Sequence, residues 1–109
     1  MSSAGSIHED MDFLYSVATG TEAEFKDLVL RGTEKQVTLL VECLANVLYF
    51  IPEITHCERI RAENIVHAYV VDNERQTLLK KWDFIRSIIA RILLLVYKTE
   101  IWRVLLHHG

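Results

Sequence analysis

The side chains whose types and spacing come closest to chemistry are His56, Glu63 and His67. On a helix, Glu63 and His67 stand one turn apart and His56 lies two turns before Glu63, a spacing at which imidazole and carboxylate ligands bind zinc. No glutamate-flanked His-x-x-x-His pair and no Cys-x-x-Cys reinforces them, so a solvated polar face is the preferred reading. Cys57 beside His56 raises the idea of a thiolate with a neighbouring base. Adjacent helical residues diverge by about 100°, however, and do not face each other. Four isolated glycines build no phosphate-cradling loop. Glu9 and Asp10 belong to a helix N-terminus, and His107–His108 reads as a chain end. The sequence therefore points to no catalytic residue, no metal site and no cofactor.

Two further groups bear on binding. Arg75, Lys80, Lys81, Arg86, Arg91, Lys98 and Arg103 make the C-terminal part basic, with Trp82, Tyr97 and Trp102 interleaved. Such a strip fits nucleic acid or anionic lipid; the plainer reading is a charged outer face whose aromatics anchor the core. Glu42 and Asn46 interrupt the most apolar run of the chain. Facing inward, Glu42 needs an Arg or Lys partner, because a buried unpaired carboxylate costs several kcal/mol, and Asn46 would set helix register. Facing outward, the pair marks a solvent-facing edge.

A repeated start signal shows what positions these residues. A capping box places Ser, Thr or a similar acceptor three residues before Glu or Gln, so that each side chain satisfies a backbone N–H left unpaired by the first turn. The pairs Ser6–Glu9, Thr21–Glu24, Thr33–Gln36, Thr55–Glu58 and Asn73–Gln76 each precede an apolar-periodic run. Gly20, Gly32 and Pro52 close the segments before them. Helices are predicted over about 7–19, 22–31, 34–51, 56–71 and 74–98, and the pattern allows a short sixth at 100–107. No strand pattern and no internal repeat is visible.

Helix 34–51 carries Val37, Leu39, Leu40, Val41, Cys43, Leu44, Val47, Leu48 and Phe50 around most of its girth, which predicts enclosure by neighbours. Helix 56–71 is expected to turn Cys57, Ile60, Asn64 or Ile65, and Ala68 inward. In helix 74–98, Leu78, Trp82, Ile85, Ile89, Ile92 and Val96 form a heptad seam of the kind found in bundles, with Leu94 the one large apolar residue on the opposite side. That helix would be roughly 37 Å long at 1.5 Å per residue, so its end projects or packs on a second copy.

Half of the 109 residues are hydrophobic and a quarter charged, a globular profile. Residues 1–57 carry 9 acidic and 3 basic side chains, a net −6, and residues 58–109 carry 6 and 9, a net +3. The opposite halves attract each other, and +3 is weak for a nucleic-acid binder. Two cysteines suit buried thiols in a reducing compartment, and the polar, acidic N-terminus shows no secretory signal. The run Val37–Ile51 falls short of the ~20 residues a bilayer span needs, and Arg86, Arg91 and Lys98 punctuate the C-terminal apolar stretch. No transmembrane span is expected, and the location expected is intracellular, cytoplasmic or nuclear.

The order LRGTEKQVTLLVECLANVLYFIPEI, then a polar helix, then ERQTLLKK, resembles the short uncharacterised proteins of Polinton-like (adintovirus-like) elements in invertebrate genomes. Gln36, Leu40, Glu42, Cys43, Asn46, Leu48, Ile54, Leu78 and Leu79 carry the resemblance. It implies a viral or mobile-element origin and a core-protein or virion role. The chain departs from that family in being acidic and in placing IRSIIARILLLVYK where the family has a Gly-Gly turn, so the resemblance does not extend to DNA condensation.

The sequence thus predicts an all-α compact bundle of five to six helices around a central apolar helix at about 34–51. It forms a single domain over 1–109, frayed at 1–6 and 107–109. The expected function is non-enzymatic: protein–protein interaction or assembly, through self-association or a protein partner. The alternatives are a nucleic-acid-binding accessory protein and a regulator that takes a partner's amphipathic helix into an apolar groove. The candidate interaction residues are Glu42, Asn46, Trp82, Arg86, Arg91, Leu94, Lys98 and Trp102.

Overall fold

The computed structural model describes the backbone of residues 3–108 and the side chains of residues 9–96. The side chains of Lys98 and Trp102 lie outside the described residues; of the ends expected to fray, residues 1, 2 and 109 also lie outside them, while α1 and α7 run over 3–6 and 107–108. The fold is an all-α compact bundle: α1 (Ser3–Thr19), α2 (Glu22–Arg31), α3 (Glu34–Ala45), α4 (Val47–Phe50), α5 (His56–Asp72), α6 (Gln76–Leu79) and α7 (Trp82–His108).

Three of the five expected capping boxes form. Thr21, Thr33 and Thr55 each accept the backbone N–H three residues on, at 3.2, 3.1 and 3.2 Å, and each donates its own N–H to the side chain there, Glu24, Gln36 or Glu58, at 2.8 to 3.1 Å. The other two do not. Ser6 lies inside α1, which starts at Ser3. Asn73 serves the opposite end of a helix: it closes α5 in the left-handed conformation, φ 52° and ψ 38°, which Asn tolerates better than most residues. The helix expected to start there begins instead as one turn, α6, and restarts as α7 after Lys80 and Lys81.

Glycine ends α2 for a reason of space. A Cβ at Gly32 would stand 2.5 Å from the carbonyl oxygen of Leu28, which already accepts the Gly32 N–H at 2.8 Å.

The single helix expected over 34–51 is broken at Asn46. Its side-chain amide and its backbone N–H both donate to the Glu42 carbonyl, at 2.9 and 3.0 Å, and its backbone leaves the helical region at φ −107° and ψ 26°. Nor is α3 enclosed all round. Val37, Leu40, Val41, Cys43 and Leu44 are buried, but Glu34, Lys35, Thr38, Glu42, Ala45 and Asn46 are exposed. The most extensive helix–helix packing is between α1 and α7, and α7 also packs against α2, α3 and α4. α7 therefore shares the centre with α3.

The predicted seam faces the core. Leu78, Ile85 and Ile89 are fully buried, Ile92 nearly so, and Trp82 and Val96 partly. Every described residue in the core is hydrophobic. Each fully buried Leu, Ile or Phe stabilises the fold by roughly 1.5–3 kcal/mol through lost apolar surface. On α5 the buried face matches the expected one at Ile65 and, partly, at Ala68, and differs elsewhere. Ala62 and Ile65 are buried with Val66 and Tyr69 packed beside them, while Cys57, Ile60 and Asn64 face water.

Candidate interaction site

The expected site residues fall in three places. Glu42 and Asn46 take the outward alternative and lie exposed on α3. No cation pairs with Glu42 among the described residues. Its charge acts on its neighbour instead: burial, with the Glu42 carboxylate adding to it, pushes the Cys43 thiol up to about 11.

Trp82 and Arg86 form a second group, one turn apart on α7. The Arg86 guanidinium lies 5.4 Å from the Trp82 ring centre, a cation–π contact, and reaches Asp83 at 3.7 Å. Trp82 Nε1 and Arg86 Nε are buried N–H donors without an acceptor among the described residues.

Arg91 and Leu94 make the third. Arg91 Nη1 donates to Glu58 Oε2 at 2.8 Å, tying α7 to the first turn of α5. The Glu58 carboxyl is held below the usual carboxylate range, chiefly by the backbone N–H and hydroxyl of Thr55 and further by the Arg91 charge. One turn on, Leu94 is 62% exposed. Ile51, Pro52, Glu53, Arg91, Leu94 and Leu95 line a groove of about 450 Å³ between α7 and the turn after α4. Tyr49, 82% exposed, and Leu48 add apolar surface on α4 itself.

The groove has a local cause. Because α4 stops after one turn, Ile51 swings into the core while Pro52 and Glu53 make a turn that Ile54 closes, its N–H donating to Ile51 O at 3.0 Å. Leu94 then shares its groove with that turn. Sequence reasoning found Leu94 and Arg91 but missed Ile51, Pro52 and Glu53. The turn itself was signalled by Pro52, which closes the helix before it, but its place opposite Leu94 was not.

The basic strip is largely engaged within the protein. Arg75 Nη1 donates to the carbonyls of Val29 at 3.1 Å, Leu30 at 3.4 Å and Gly32, closing the C-terminus of α2. Arg86 and Arg91 meet carboxylates. Of the cations named for that strip, Lys80 and Lys81 alone among the described residues lack such a partner. His56, Glu63 and His67 are all exposed, and Glu63 pairs with Arg59 at 3.4 Å. Among the described residues no three His, Cys, Asp or Glu side chains converge as a metal site, and no helix is long and apolar enough to cross a membrane.

No protein-family model, curated protein or solved structure matches the chain.

Proposed function

We propose that this is a non-enzymatic assembly protein that associates with a second copy of itself through the groove between α7 and the Ile51–Glu53 turn. The exposure of Leu94 beside that groove carries the reading. A leucine 62% open to water at the mouth of an apolar groove is surface that association removes from water.

A second copy suits the rim better than a partner of one charge. The lining carries both signs, Glu53 as an acid and Arg91 as a base that already meets Glu58 at 2.8 Å, beside the apolar Ile51, Leu94 and Leu95. A two-fold interface sets the same patch against itself, so it needs both signs within the patch. The heptad seam is not the surface proposed, since it faces the protein's own core as far as it is described.

An assembly role also accords with the virion role supposed for the Polinton-like proteins that this chain resembles. The proposed setting is the cell interior, where an exposed Cys57 thiol stays reduced. Light scattering across the micromolar range tests the reading. Mass should rise with concentration towards a dimer, and a protein monomeric throughout would overturn it. A monomer that instead takes up an amphipathic helical peptide in the groove would assign the surface to a different partner.

A further inference from the structure

We propose that a second, polar pocket, between α5 and the junction of α6 with α7, binds one phosphate-sized oxyanion. Arg61, Asn64, Ile65, Ala68, Thr77 and Lys81 line it, around about 150 Å³. Two cations share its wall and no carboxylate does. Side by side, their charges repel until an anion comes between them.

Arg61 stands apart from the other described arginines. Arg31, Arg59, Arg86 and Arg91 each meet a carboxylate, and Arg75 caps α2. Arg61 meets none among the described residues; its guanidinium lies 4.4 Å from the centre of the Phe84 ring. That contact anchors the side chain while leaving its N–H donors uncommitted. Asn64, Thr77 and Lys81 likewise make no side-chain hydrogen bond or ion pair among the described residues.

The donor inventory selects the ligand. Arg61 offers five N–H groups, Lys81 three, Asn64 two and Thr77 one, whereas only the Asn64 carbonyl and the Thr77 hydroxyl accept. An excess of donors with two positive charges matches a doubly charged tetrahedral oxyanion better than a single carboxylate. The lining also includes the apolar Ile65, buried, and Ala68, half-buried, and apolar surroundings strengthen such an attraction. This site is independent of the self-association proposed above.

The experiment titrates inorganic phosphate and, separately, phosphoserine into the full chain at an ionic strength held constant with chloride. Saturable binding at one site per chain is expected. Arg61→Gln and Lys81→Gln should each weaken it about tenfold, the loss of one charge-assisted contact. Lys80→Gln, adjacent in sequence but outside the lining, should change it by less than about twofold. Tighter binding of phosphoserine means that the oxyanion arrives on a peptide side chain; equal binding means that it arrives free. Both uphold the site. No saturation above chloride, or equal weakening by the Lys80 variant, overturns it. Should Arg61→Gln misfold on losing its Phe84 contact, the exposed Lys81 carries the test.

Discussion

Arg91 and Glu58, 33 residues apart in sequence, meet at 2.8 Å through Nη1 and Oε2, while the other oxygen of the same carboxylate accepts the Thr55 N–H at 3.1 Å. One side chain thus starts α5 and fastens it to α7. Its folded-state pKa is depressed, as is that of Glu24, which caps α2 through Thr21. Stability from a depressed carboxyl is complete above the ordinary carboxylate range and is lost as pH falls through the depressed value. Glu58→Gln keeps a capping side chain, as Gln36 does on α3, but removes the charge. Urea unfolding should therefore show the variant less stable than wild type at neutral pH, with the gap closing on acidification. A gap that does not change with pH would show that the charge contributes nothing.

Arg75 joins α2 to the chain more than 40 residues later. Its guanidinium satisfies carbonyls that the end of α2 leaves open, where the helix dipole also favours positive charge. Arg75→Ala should lower the unfolding free energy by about 1–2 kcal/mol, read from the urea midpoint at unchanged slope. Arg75→Lys should recover only part, because the lysine ammonium ends one bond short of the Nη1 position from which Arg75 reaches all three carbonyls.

The two thiols should separate cleanly. Cys57 is exposed and should react promptly with a thiol reagent; Cys43 is buried and should react only as fast as the fold opens. Because the Cys43 value is raised, its contribution is complete below 9.0 and is lost as pH rises towards about 11. Stability should fall across that window in wild type, and the fall should be shallower in Cys43→Ala.

Features that depend on near neighbours in sequence were legible. The boxes at Thr21, Thr33 and Thr55 need only residues three apart, and the α7 seam repeats often enough to fix its own face. Asn46 was misjudged because Asn is tolerated within a helix until its amide reaches back to the carbonyl four residues earlier. The face of α5 was only half legible, with Ile65 inward as one alternative had it but Cys57 and Ile60 outward, because its apolar residues, Ile60, Ile65, Val66, Val70 and Val71, are spread around the helix. Only packing against α3 and α6 selects Ala62 and Ile65. The acceptors of Arg75 are backbone carbonyls more than 40 residues away, which no spacing rule connects. The groove was half legible: Leu94 broke the polar side of its helix visibly, but its opposite wall exists only because α4 ends after one turn.

Leu94 is also where assembly and stability come apart. Truncating a core residue such as Leu40, fully buried, should cost about 2–5 kcal/mol, while an exposed position should change stability by no more than ~0.5 kcal/mol. Sedimentation equilibrium of wild type beside Leu94→Glu tests the central claim most directly. Wild type should move from 12.7 kDa towards twice that mass as concentration rises. Leu94→Glu, equally helical and equally stable, should stay at the monomer mass. Wild type holding the monomer mass throughout, or Leu94→Glu associating as wild type does, would contradict the account.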